Sequence, residues 1–95
     1  MKVRWSRRAL SDLDNLVRYI AENSLEAALS VDGQIVDAAD RLEHMPERGR
    51  LGELAGTREL VLAGTPYILV YEIDDRFVEI LRVRHAAQNW PPKET

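Results

Sequence analysis

Apolar residues in the first half of the chain recur at steps of three and four, whereas in the last third they alternate or run together in blocks of about seven. Leu10, Leu13, Leu16, Val17, Ile20 and Ala21 fall on one face of a helix predicted from about Arg7 to Glu22. Ser6 stands just before it, where its hydroxyl can accept a free backbone N–H of the first turn. Asn23 and Ser24 interrupt the pattern, and either can cap a second helix whose positive end is complemented by Glu26. Ala28, Val31, Ile35, Ala38 and Leu42 then form a narrow seam over residues 24–45, suited to packing antiparallel on the first helix. Met45-Pro46 ends that helix, because the residue before proline is pushed out of helical geometry. Gly33, inside it, costs about 1 kcal/mol relative to alanine; close approach of another backbone and a neutral substitution both account for it.

Beyond Pro46 the period changes. A glycine-containing loop, Arg48-Gly49-Arg50 and Gly52 to Gly56, leads into TRELVLA, YILVYEI and FVEILRVRH. These are separated by the turn sequences Gly64-Thr65-Pro66 and Asp74-Asp75. Their Val, Ile, Leu and Tyr content predicts strands over 57–63, 67–73 and 76–84, joined as a meander, with a further short strand over 2–5. The fold class is α+β: an N-terminal strand and a two-helix antiparallel hairpin packed on a four-stranded antiparallel sheet. One domain spans residues 1–95, and Pro91 to Thr95 reads as a frayed tail.

Composition narrows the function. The chain lacks cysteine, which excludes disulfides and thiolate metal sites, and its histidines, His44 and His85, have no metal-ligand spacing. Neither a metal nor a cofactor is expected. No apolar stretch approaches the roughly 18 residues of a membrane span, so a soluble cytoplasmic protein is expected. The net charge is −3, unevenly spread. Residues 1–10 carry four bases and no acid, residues 11–47 carry nine acids against Arg18 and Arg41, and bases return from Arg48 onward. A local basic site on an acidic protein follows, with weak non-specific affinity for nucleic acid.

Candidate chemistry concentrates in that last third. Antiparallel pairing would bring Arg58, Arg82, Arg84 and His85 toward one patch, with cations able to hold a phosphate and an imidazole able to move a proton near neutral pH. The bland readings are a His85 bonded to backbone at a strand end and an Arg58 paired with Glu79 or Glu72 across the sheet. Arg48 and Arg50, on an exposed loop without evident packing duty, are the better candidates for contact with a partner. Trp5 and Trp90 suit half-buried positions at the core edge better than base stacking, and His44 complements a helix C-terminus.

The order of the motifs carries a resemblance. W-S-R-R-A-L-S-D-L, Pro46-x-x-Gly49-Arg50, Gly56-x-Arg58, P-Y-I-L-V-Y and Arg82-Val83-x-His85-x-x-x-x-Trp90-Pro91 together resemble the RelE/ParE family of bacterial toxins over nearly the whole chain. The resemblance implies a toxin of a type II toxin–antitoxin module, held inactive by a small cognate antitoxin in a hetero-oligomer. Its target would be DNA gyrase in the ParE manner or ribosome-bound mRNA in the RelE manner. The second case implies an endoribonuclease, with His85, Arg58, Arg82 and Arg84 as catalytic residues. The first implies binding alone, with Arg48, Arg50, Arg82 and Trp90 contacting the target. RelE-like nucleases commonly carry an arginine shortly before the strand matched by Tyr67 and Tyr71, where this chain has Ala63 and Gly64, and a terminal tyrosine after the last strand is missing too. With the acidic total charge, these departures favour the gyrase-type reading.

Overall fold

The computed structural model describes residues 1–92, so part of the tail expected at Pro91 to Thr95 lies outside the described residues. Strand β1 (Lys2–Trp5) leads directly into helix α1 (Arg7–Ala21), followed by helix α2 (Leu25–Arg41). After a single 3₁₀ turn at Pro46–Arg48 come β2 (Arg50–Leu51), β3 (Arg58–Val61), β4 (Tyr67–Ile73) and β5 (Phe77–His85). The strands form one five-stranded sheet in the order β1-β5-β4-β3-β2. The α+β plan is the expected one, but the sheet is mixed and has a fifth strand: β1 runs parallel to β5, and β2 extends the far edge antiparallel to β3. The direction of β1 follows from its connection. The two-helix hairpin returns the chain antiparallel to β1, as β2, and the three reversals from β2 to β5 leave β5 parallel to β1, which strand periodicity does not reveal. Two-residue β2 is too short to have a period at all.

Both helices begin as their caps dictate. The Ser6 hydroxyl accepts the Ala9 N–H at 3.0 Å, and Ser24, rather than Asn23, accepts that of Ala27 at 3.0 Å. Helix α2 ends at Arg41, four residues before the predicted limit, because residues 42–44 unwind into a turn ahead of Pro46. Ala9, Ile35, Ala39 and Leu42 meet Leu62, Leu69, Tyr71, Val78, Ile80 and Val83 in the core between helices and sheet. Leu10, counted on the buried face from its spacing, is instead exposed, and Ala9 takes the inner position. Gly33 faces open space, which removes close backbone approach as its reason.

The junction of β1 and α1 positions the site. Where β1 stops at Trp5, opposite Ile80, the Ser6 N–H donates to the Ile80 carbonyl at 2.9 Å and its hydroxyl to that of Leu81 at 2.9 Å. Leu81 is the extra residue of a bulge, since Val70 opposes Arg82 while Tyr71 opposes Ile80. From there on β5 has lost its strand neighbour, and a side chain substitutes: the Asp12 carboxylate of α1 accepts the Val83 N–H at 2.9 Å.

Candidate functional site

Strand alternation sorts the cationic residues onto different faces. Leu69 and Val83 are register partners within the core, so their neighbours Val70 and Ile68 on β4, and Arg82 and Arg84 on β5, face away from the helices. On that outer face Glu59, opposite Val70, has only 2% of its surface exposed. Its Oε1 accepts from Arg50 and from Arg84, each at 3.1 Å, and its Oε2 accepts the Glu53 N–H at 3.0 Å. Arg84 starts on β5 and ends at β3, so its side chain crosses β4, covering the buried Ile68 and Val70 with its methylenes. Burial alone would raise the Glu59 pKa. The Glu53 N–H and the Arg84 and Arg50 guanidinium groups outweigh it and hold the carboxyl below the ordinary range.

Arg82 is committed as well. Its Nε and Nη2 donate to the two oxygens of Asp12 at 2.8 and 3.2 Å, a bidentate pair joining β5 to α1. Trp90 lies beside both arginines, its ring centre 5.8 Å from the Arg82 guanidinium carbon and 5.4 Å from that of Arg84. It is half-buried, as is Trp5, in keeping with places at the core edge. Arg84 Nε and Trp90 Nε1 are both buried donors without a protein acceptor.

Arg58 and His85 stand apart from this group, which corrects the expectation of one shared patch. Arg58 is opposite Tyr71 and His85 opposite Tyr67, so four residues of β4, roughly 13 Å, separate them along the core-side face. Arg58 does not pair with Glu79 or Glu72. Its guanidinium donates to the carbonyls of Gly49 at 2.8 Å and Glu47 at 3.3 Å, while Glu79 takes Arg4 at 3.3 Å, its register neighbour on β1. His85 is exposed and meets the Tyr67 ring edge-on at 5.7 Å. Its Nδ1 accepts the Ala87 N–H at 3.0 Å, so the neutral ring carries its proton on Nε2.

The loop that presents Arg48 and Arg50 is fixed from below by Tyr71, a residue whose periodicity marks it only as core. The fully buried phenol accepts the Gly49 N–H at 2.8 Å and donates to the Pro46 carbonyl at 2.7 Å. Burial raises its pKa, which keeps the donating proton in place. A Cβ on Gly49 would stand 2.7 Å from the Tyr71 hydroxyl and 2.9 Å from the Glu59 carbonyl, which explains glycine in the Pro-x-x-Gly-Arg motif. Glu59, Asp12 and Tyr71 were missed as site residues because nothing local marks them; only an acid in the middle of an apolar strand hinted at Glu59. Among the described residues no cluster of three His, Asp or Glu side chains has the geometry for a metal, and no helix is long and apolar enough to cross a membrane.

Two helices on a mixed five-stranded sheet are the architecture of the RelE/ParE class of small toxins. The description "ParE toxin of type II toxin-antitoxin system, parDE" matches residues 3–90, and the chain belongs to that family. It is 48% identical over 90 residues to toxin Y4kP of Sinorhizobium fredii, covering 95% of this chain and 93% of the relative. It is 44% identical over 87 residues to toxin RelE2 of Caulobacter vibrioides, covering 92% and 97%. Among solved structures, the chromosomal ParDE system of P. aeruginosa aligns with a TM-score of 0.80 at 28% identity, covering 90% of this chain and 95% of that one. The RelBE2 toxin–antitoxin complex of Mycobacterium tuberculosis aligns at 0.63 with 38% identity, covering 92% of each. The protein is thus the toxin of a type II toxin–antitoxin module.

Proposed function

We propose that this toxin acts by binding a protein target, DNA gyrase, and that a small cognate antitoxin encoded beside it holds it inactive in a hetero-oligomer. The observation that carries the target is the commitment of the cations on β5: Arg82 is bound by Asp12 at 2.8 and 3.2 Å, and Arg84 by the buried Glu59 at 3.1 Å. A ribonuclease must bring uncommitted cations to a scissile phosphate while another group takes the ribose proton. Here both arginines are neutralised inside the fold. His85 stands on the opposite face of the sheet, with Nδ1 occupied and the neutral ring's proton on Nε2, so it lacks a free lone pair for a general base. The match to the ParE family supports the same reading. Arg48 is exposed and in no ion pair among the described residues, and the Arg50 side chain is still 60% exposed beside Glu59. With Arg82 and Trp90 at the rim, these two supply the target contacts.

A second reading, ribosome-dependent mRNA cleavage, is favoured by the exposure of the His85 ring and by the relative named toxin RelE2. Gyrase supercoiling and ribosome-programmed mRNA cleavage, assayed in parallel with purified protein, separate the two. Inhibited supercoiling without cleavage is expected, and charge reversal at Arg48 or Arg50 should weaken inhibition by roughly tenfold or more. Robust cleavage that disappears in His85→Ala would make the protein a nuclease instead.

A further inference from the structure

The loop from Pro46 to Thr57 is held by an unusual number of side chains for a surface segment. Tyr71 bonds its backbone at Pro46 and Gly49, Arg58 donates to the carbonyls of Glu47 and Gly49, and the buried Glu59 accepts the Glu53 N–H. The Gly52 N–H donates to the Thr57 carbonyl at 2.8 Å and the Thr57 hydroxyl to that of Leu54 at 2.7 Å. These bonds close a turn in which Gly56 takes a φ of +79°, a conformation open to glycine. A Cβ on Gly52 would collide with the Thr57 hydroxyl, so this end of the loop is closely packed as well.

What this frame presents to solvent is apolar. Leu51 lies opposite Arg58, and Ile73 two residues beyond Tyr71, so both fall on the helix side of the sheet. The helices do not cover this corner: Leu51 is 79% exposed, the highest value of any large apolar residue among those described, with Leu54 at 38% and Ile73 at 36%. The three line a hollow of about 330 Å³ together with Arg58. Leu51 buries little within the fold, yet its backbone is fixed on both sides. An apolar surface ordered in advance costs less entropy when a partner covers it.

We propose that this hollow receives an apolar side chain of the target protein and anchors the contact that Arg48 and Arg50 begin. Continuity chooses the occupant. Leu51 follows Arg50 directly on β2, with the two side chains on opposite faces of the sheet, so a surface that touches both straddles the β2 edge. Nucleic acid does not suit the hollow, because its own cation is engaged: the Arg58 guanidinium donates to two carbonyls, and the exposed Asp74 and Asp75 follow Ile73 at the rim. A neutral side chain in the centre with charges of both signs around it is the pattern of a protein interface. The proposal rests on the gyrase reading given above and adds the residues that would be buried.

The test compares full-length wild-type toxin, Leu51→Asp, Leu51→Met and Leu10→Asp for inhibition of gyrase supercoiling, with circular dichroism and the thermal midpoint of each. Leu10 is an exposed leucine of α1 outside this corner and controls for charge placed on any apolar surface. Leu51→Asp should melt like wild type, since its side chain is solvent-exposed, yet inhibit at least about tenfold more weakly. Leu51→Met and Leu10→Asp should each stay within about twofold of wild type. Wild-type inhibition that Leu51→Asp retains in full, or that Leu10→Asp loses equally, overturns the anchoring surface and leaves the gyrase reading standing. Wild-type toxin that does not inhibit gyrase overturns that reading, and the surface with it. Light scattering supplies the last outcome: a wild-type dimer that Leu51→Asp converts to a monomer with inhibition unchanged assigns the hollow to a second copy and overturns the proposal.

Discussion

Glu59 shows how one buried side chain can organise a surface. With two guanidinium groups and a backbone N–H on its oxygens, it anchors Arg84 across the sheet and ties the start of β2 to β3. Its folded pKa lies below the ordinary 4.5, so its contribution to stability is complete above that value and is lost as the pH falls through the depressed folded pKa. Glu59→Gln should therefore cost about 2 to 3 kcal/mol at pH 7. The difference from wild type should shrink in acid, which urea unfolding between pH 7 and pH 3 would measure. A difference independent of pH would mean that packing, not charge, is what the substitution removes. Nothing in the local sequence assigned this role. The acid in RELV is separated by 25 positions from Arg84, and only strand register brings the two together.

Within the elements, the helical hairpin follows its sequence closely. Caps at Ser6 and Ser24 and the seam of Ala28, Ile35 and Leu42 stand where spacing put them, because helix starts and faces are set by residues three and four apart. Gly33 is the exception to good helix design. A Cβ added there meets nothing within 4 Å, so the glycine has only its backbone entropy cost. Gly33→Ala should stabilise the fold by roughly 0.5 to 1 kcal/mol, read as a higher thermal midpoint with unchanged growth inhibition. A loss of stability would show that the exposed face of α2 is covered in solution. Strand elements were less legible. β2 is a pair of residues whose only signal is tertiary, and the direction of β1 relative to β5 depends on the strand reversals between them.

At the scale of the whole molecule, expression without its partner should arrest growth, and co-expression with the adjacent small gene should restore it. Colony counts after induction would measure both, and unimpaired growth at verified soluble expression would remove toxicity from this copy. The expectation follows from family membership over residues 3–90 and from an undamaged fold, in which the core, both helix caps and the Tyr71 clamp are complete. The same scale explains why the candidate site was only partly visible. Of the expected patch Arg82 and Arg84 do share a face, with Trp90 beside them, but Arg58 and His85 fall on the opposite face at two ends of β4.

Local periodicity, capping and turn residues by themselves determined the α+β class, the hairpin and the three long strands, since each depends on side chains a few positions apart. The ordered motifs from Pro46 to Pro91 likewise carried the family. Tertiary structure alone decided which cations are free and which are spent: Asp12 with Arg82 across 70 residues, Glu59 with Arg84 across β4, and Arg48 left exposed ahead of β2. Charge in a sequence counts ionisable groups, but only strand register and a bulge fix the few ångströms over which one charge neutralises another.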